Sequence, residues 1–404
     1  MIFLLILLII LILLLWNKGR NCGQPQKYTF KVGEKMIVKY LSGTPEHIKD
    51  ENRKEYSCGE LKICECANLE EWTLTKSVTV YGMEGVGGAM KPTPATGQGI
   101  DSVYINGKLK VDSQEKIEVT RLEYYNPGKN AERNLKIAVL DTGIDREFFT
   151  TNDFIENPSG CFEQDANNNF DDNPRKHGSI VTQFLLRQFN DSGINIKIIP
   201  FKVLDTKKEG DLFEIVCAIY AAQKQGANAI VASLGYLGEG WGLLKEALDF
   251  TKNNNVLYFA AAGNIANNSE NSIFQTKNFF PATYSLINTR VFAVSSVRSP
   301  IKRDGNINWS PNQNSKKIMI NAYVEINSDD SAVQDHFCYF NSHLTGTSYA
   351  TPIFAGQYLR RNLESGSGPA TNDKPYILNL FNEEEVEDLG QYGLAIRKNS
   401  YQSL

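Results

Sequence analysis

The stretch Leu344-Thr345-Gly346-Thr347-Ser348-Tyr349-Ala350-Thr351-Pro352 places one serine where a glycine turn gives way to a helix-forming run. A hydroxyl there serves either as a helix N-cap or as a nucleophile presented to a cleft. A serine nucleophile needs a base, and the chain has four histidines: His47, His177, His336 and His343. His177 opens an apolar run after a polar segment rich in Asn and Asp, so its ring can face a cleft. Asp141 closes the apolar run Leu135–Leu140. An Asp behind a His behind a Ser performs acyl transfer: the His takes the hydroxyl proton, and the Asp fixes the imidazole tautomer and stabilises its cationic form. Asn264, after Ala260-Ala261-Ala262-Gly263, offers an amide that can donate to a developing oxyanion. Each residue also has a plain structural use. Asp141 can make an Asx turn with Gly143, His177 can lie on a helix surface, and Gly263-Asn264 can be an ordinary turn.

The elements that would have to position these groups are legible in the patterning. Leu135–Leu140, Ile196–Leu204, Ala229–Ser233, Val256–Ala262 and Arg290–Val297 read as short strands that are apolar throughout. Between and after them, His177–Leu186, Asp211–Gln225, Leu243–Asn253 and Ser348–Leu363 have helical spacing. Apolar strands alternating with helices predict a mostly parallel sheet covered on both faces, an α/β three-layer sandwich. In such sheets the cleft lies at the strand carboxyl ends. Asp141, Ser233 and Asn264 all fall at or just beyond such ends.

Other features bound the reading. With 42% hydrophobic and 22% charged residues and a net charge of -4, the chain is globular and offers no polycationic surface to a nucleic acid. Ile2–Trp16 is unbroken apolar sequence, shorter than the roughly 20 residues of a spanning helix. We read residues 1–22 as a signal peptide or membrane anchor, which makes the protein secreted or membrane-anchored with its catalytic domain outside the cytoplasm. Residues 23–132 read as a small β-rich region, with strands expected at Tyr28–Val32, Lys35–Leu41, Trp72–Tyr81 and Lys116–Tyr124. The chemistry-bearing domain covers 133–370, and a tail runs over 371–404. Within the tail, Glu383–Asp388 reads as a solvated helix face. Of seven cysteines, Cys58, Cys64 and Cys66 cluster and are suited to one bridge, while Cys217 reads as a small core residue in a helix. Asp171 and Asp172 read as a solvated loop, with a structural calcium as the alternative.

Taken together, the motifs resemble those of the subtilisin-like serine proteases. The match runs over about Leu135–Leu363: the aspartate motif Ala138-Val139-Leu140-Asp141-Thr142-Gly143, the histidine motif His177-Gly178, the oxyanion motif ending at Asn264, and Gly346-Thr347-Ser348-Tyr349-Ala350-Thr351-Pro352. Their order differs from the Ser, Asp, His order of α/β-hydrolases. The resemblance implies a serine endopeptidase acting through an acyl-enzyme on protein or peptide substrates, without a required cofactor. Asp141, His177 and Ser348 would be the triad and Asn264 the oxyanion donor. Ser233, Leu234 and Gly235 would line the substrate on one side, and Gly210 would pair with it on the other. His177 and Ser348 should then lie within hydrogen-bond reach. The resemblance also implies that residues 23–132 stand where relatives carry a removable inhibitory propeptide. Three departures weigh against full activity: Ile180 replaces a second histidine, Thr182-Gln183 replace a small pair, and Lys176 puts a cation beside the base. The alternative reading is a catalytically impaired relative that only binds peptides.

Overall fold

The computed structural model describes residues 26–82, 98–110, 125–126, 128, 133–162, 164–263, 278–298, 320–324, 338–339, 342–343, 347–366, 370–381, 386–388 and 394–396. The apolar segment Ile2–Trp16 and the strand expected at Lys116–Tyr124 lie outside these residues. Among the described residues no helix is long and apolar enough to cross a membrane. The chain divides into two compact units, one of residues 1–63 and 68–105 and one of 64–67 and 106–404.

The first unit contains β1 (Gln26–Phe30), β2 (Lys35–Tyr40), α1 (Glu46–Glu55), β3 (Cys58–Cys64), β4 (Leu69–Leu74), β5 (Val78–Gly82) and β6 (Ile100–Ile105). Four strands form a sheet in the order β3-β4-β2-β6, and β1 pairs antiparallel with β5. Phe30, Met36, Val38, Tyr40, Trp72 and Val103 fill its core. Sequence patterning misses α1, whose residues EHIKDENRKE carry almost no apolar stripe. Polar contacts hold it instead: Arg53 forms a bidentate pair with the buried Glu70, and Asn52 donates to the Gln98 carbonyl at 2.9 Å.

The second unit is built on an eight-stranded sheet. Its members are β8 (Arg133–Asp141), β9 (Ile194–Lys202), β11 (Ala229–Ala232), β13 (Leu257–Ala261), β15 (Val291–Arg298), β16 (Ile320–Val324), β19 (Val386–Asp388) and β20 (Leu394–Ile396), in the order β19-β20-β16-β15-β13-β11-β8-β9. Every pairing is parallel except β19 with β20. Val386–Asp388 is therefore a strand, not the solvated helix expected for this acidic run. Short antiparallel pairs flank the sheet: β7 (Lys108–Lys110) with β10 (Glu209–Asp211), β12 (Tyr236–Gly238) with β14 (Asn278–Phe280), and β17 (Cys338–Tyr339) with β18 (Ser342–His343).

The helices of this unit are α2 (His177–Arg187), α3 (Leu212–Lys224), α4 (Gly242–Asn253), α5 (Thr347–Ser365) and α6 (Lys374–Leu380). Alternate strand residues face opposite layers. Val139, Val231, Phe259 and Phe292 meet α2 and α5 in one core. Leu140, Ile230, Ala232, Tyr258 and Ala260 are equally buried on the other face. Phe259, Phe292, Phe354 and Tyr358 form an aromatic cluster in that core, with ring centroids 4.7–6.1 Å apart. Burial of this kind contributes roughly 1.5–3 kcal/mol per side chain.

Two disulfides, Cys64–Cys217 and Cys66–Cys161, join residues 153 and 95 apart in sequence. They overturn two expectations. Cys217 is bonded rather than a free core thiol, and the N-terminal cysteines bridge to distant partners rather than to one another. Cys58 is free. Only the fold brings such separated sulfurs together, which is why spacing alone pointed to a local bridge.

Candidate active site

The strand order sets the position of the site. From β8 the chain passes through α2 to β9 on one side, then returns through α3 to β11 on the other. The order reverses between β8 and β11, and a crevice opens at such a reversal beyond the strand carboxyl ends. Asp141 is the last residue of β8, and Ser233 follows β11 directly.

Asp141 and His177 are both 1% exposed, and His177 Nδ1 lies 2.7 Å from Asp141 Oδ1. The same carboxylate oxygen accepts the Thr142 N–H at 2.7 Å. Imidazole Nδ1 is therefore held as a donor, leaving Nε2 as the basic nitrogen. Nε2 is buried and has no hydrogen-bond partner among the described residues. His177 is the first residue of α2. It follows Lys176, whose left-handed backbone (φ 52°) turns the polar loop into the helix. Gly178 permits the close approach: a Cβ there would sit on the Gly143 carbonyl oxygen and 3.2 Å from Asp141 Cβ.

Ser348 is the second residue of α5 and is 5% exposed. Its backbone N–H is among the helix-opening donors that have no partner within the helix. Tyr349 packs on the His177 ring with centroids 5.5 Å apart, so the two helix starts meet at the site. Pro352 has no N–H to offer the carbonyl four residues earlier, which is that of Ser348. That freed oxygen accepts the Ser233 hydroxyl at 2.7 Å, tying the serine turn to the end of β11. Ser348 Oγ lies 3.4 Å from the Ser233 carbonyl. The expected hydrogen bond between Ser348 and His177 is not formed, because the hydroxyl is turned toward β11 and Nε2 is left unpaired.

Ser233 thus has an anchoring role that its motif position did not announce. Leu234 is buried beside it, and a Cβ on Gly235 would collide with the Phe279 ring and the Phe280 carbonyl. Gly210 lies on β10, where it pairs with Leu109 of β7, and a Cβ there would be 2.5 Å from the Val203 carbonyl oxygen. The edge expected to receive a peptide is therefore occupied by the chain's own residues. Asn264 lies outside the described residues; Gly263 before it is described, with φ 91°.

The departures in α2 are accommodated. Thr182 donates to the Gly178 carbonyl and Gln183 to the Phe148 carbonyl, each at 2.9 Å, while Ile180 is fully buried. Lys176 pairs with Asp145 at 2.8 Å rather than standing as an isolated cation beside the ring. Asp171 is wholly buried and bonded to neighbouring donors, and Asp172 pairs with Lys202 at 2.6 Å. The solvated loop expected for both residues therefore holds for Asp172, which is exposed, but not for Asp171, whose carboxylate is folded into the core of the loop.

Comparison with known proteins agrees with this architecture. Thermitase of Thermoactinomyces vulgaris is 27% identical over 281 residues, which cover 67% of this chain and 88% of that protein. The cell wall-associated protease of Bacillus subtilis (strain 168) is 35% identical over 139 residues, 33% of this chain but only 15% of that longer protein. The solved epidermin leader peptide processing serine protease of Staphylococcus aureus superposes with a TM-score of 0.53 at 16% identity. The superposition covers 92% of this chain and 99% of that one, and shows a shared fold. Residues 132–360 match the sequence model of the subtilase family, more than half of the 404 residues. The chain is therefore a member of the subtilase family, a serine peptidase with the α/β fold of that family.

Proposed function

We propose that this peptidase is an endopeptidase in which Ser348 attacks the peptide carbonyl, His177 is general base and then general acid, and Asp141 orients and stabilises the imidazole. The observation that carries the proposal is the buried 2.7 Å contact between His177 Nδ1 and Asp141 Oδ1, with unpaired Nε2 on the far side of the ring. Tyr349, the neighbour of Ser348, packs on the His177 ring, which sets the nucleophile and the base on adjoining helix starts. The tetrahedral intermediate would place its oxyanion at the Ser348 N–H, at the start of α5, with Asn264 as the second donor. No step needs a cofactor. The apolar N-terminus and the wall-associated relative support an extracytoplasmic location. The peptide-binding alternative gains no support, because both described members of the base pair are intact. A fluorophosphonate probe should label wild-type protein at Ser348, and Ser348→Ala should abolish both labelling and peptide turnover. A folded wild-type protein that stays unlabelled and inactive would refute the assignment.

Substrate would be bound as an added strand along the edges that follow β11 and precede α3. We propose that β7 acts as an internal occupant of the second edge and must leave it before a peptide pairs with Gly210. Leu109 is 1% exposed in β7, and a carboxylate there would be buried without a partner. Leu109→Asp should loosen β7 and raise kcat/KM for an extended peptide by about tenfold, as expected when a blocked state loses population. An unchanged kcat/KM would mean that β7 does not obstruct the substrate.

A further inference from the structure

The carboxylate of Asp171 is unused by the reaction just described, yet it lies between the two segments that deliver the base and its orienting acid. Its Oδ1 accepts the Thr142 hydroxyl at 2.8 Å and the Asn173 N–H at 3.3 Å. Its Oδ2 accepts the Ser179 hydroxyl at 2.6 Å and the Ser179 N–H at 3.0 Å. Thr142 follows Asp141 in sequence, and Ser179 is the third residue of the helix that starts at His177.

The hydroxyl protons have only one direction open to them. Thr142 Oγ1 already accepts the Gly178 N–H at 2.9 Å, so its own proton points to Asp171. Ser179 Oγ accepts the Asp145 N–H at 2.8 Å, so its proton also points to Asp171. Four donors converge on two oxygens, a set that an ionised carboxylate satisfies and an amide or a protonated acid does not. Burial opposes that ionisation and pushes the Asp171 carboxyl up from its ordinary range, with the Asp141 charge adding to the effect. A buried anion held against that cost by donors from two segments ties those segments together.

We infer that Asp171 is a positioning residue for the peptidase reaction, holding the Asp141 turn and the His177 helix start at the separation that their own contact requires. The inference rests on the reading of Asp141 and His177 as catalytic groups. Thr142 acts through its hydroxyl, and Ser179 through its hydroxyl as well as its backbone N–H, so removing a hydroxyl and changing the side chain's shape have separable effects. Ile180, next to this network, is committed to the core, and Lys176 to the Asp145 carboxylate and the Asp171 backbone carbonyl.

The test compares Thr142→Val with Thr142→Ser, Ser179→Ala with Ser179→Thr, and adds Asp171→Asn. Two readouts are taken on the full chain: steady-state kinetics, and the downfield proton resonance of the His177 Nδ1–H bonded to Asp141. Thr142→Val and Ser179→Ala should each lower kcat about tenfold and Asp171→Asn about a hundredfold, with KM within about twofold and the resonance broadened or lost. Thr142→Ser and Ser179→Thr should restore both. Combining Asp171→Asn with Thr142→Val should add little, because both break the same link. If Asp171→Asn does not fold, the Thr142 and Ser179 pairs carry the test. Hydroxyl-free variants that keep kcat and the resonance would overturn the positioning role while leaving the endopeptidase reading intact. A wild-type protein that shows the resonance but no turnover, with the resonance lost in the hydroxyl-free variants, would support the clamp and refute that reading instead.

Discussion

Asp141→Asn should lower kcat by about four orders of magnitude, with little change in KM. Asp141 Oδ1 faces two donors, His177 Nδ1 and the Thr142 N–H, both at 2.7 Å. An asparagine can place its oxygen there and keep the geometry, but it brings no charge to stabilise an imidazolium. If it turns its amide nitrogen toward the ring instead, Nδ1 must accept, Nε2 becomes protonated, and the ring cannot take a proton from Ser348. The first arrangement weakens the base and the second removes it, and both leave the core unchanged. Fluorophosphonate labelling should slow in parallel with kcat, and the thermal midpoint should move by no more than a few degrees. A variant that keeps turnover within about a hundredfold of wild type would show that the carboxylate charge is not needed.

Gly178→Ala should have the next largest effect, by a different route. The added methyl meets the Gly143 carbonyl oxygen, with the Gly143 nitrogen and Asp141 Cβ each 3.2 Å away. These atoms belong to a turn that is itself fixed: the Ile144 N–H donates to the Asn169 carbonyl at 2.8 Å, and the Asp171 N–H donates to the Ile144 carbonyl at 3.2 Å. Backbone in such a position cannot yield as a flexible side chain would. The start of α2 must move away from the Asp141 turn, stretching the contact between His177 and Asp141. A misplacement near 1 Å costs about a hundredfold in rate, and overpacking of this kind costs about 1–3 kcal/mol in stability. Chemical denaturation should show a lowered midpoint at unchanged slope, and kcat should fall by more than KM changes. Full activity with wild-type stability would mean that the two segments can separate freely, which would also argue against the clamp at Asp171.

Much of the second unit is legible in the sequence because its local signals agree with its global packing. The run His177–Leu186 predicts a helix, and the helix spans His177–Arg187. Ala229–Ser233 predicts a strand, and β11 spans Ala229–Ala232. Strands buried on both faces are apolar at every position, and that pattern is readable without knowing their neighbours. The first unit is less legible. Its helix α1 is held by Arg53, Glu70 and Asn52, whose partners lie far along the chain, so no periodicity marks it.

The same division runs through the site. Sequence alone determined which residues could form a base pair and a nucleophile, because Asp141, His177 and Ser348 stand in motifs whose residue types and order are restrictive. It also determined that Asp141 and Ser233 fall at strand ends, since each strand's length follows from its apolar run. Tertiary structure decided what those motifs leave open. It turned the Ser348 hydroxyl toward Ser233 and gave Gly210 a partner in Leu109. It also joined Cys217 to Cys64 and made Asp171 the meeting point of Thr142 and Ser179. These contacts join residues from eight to 153 positions apart. Hydrogen bonds, disulfides and steric contacts act over a few ångströms in space and carry no signature in local composition.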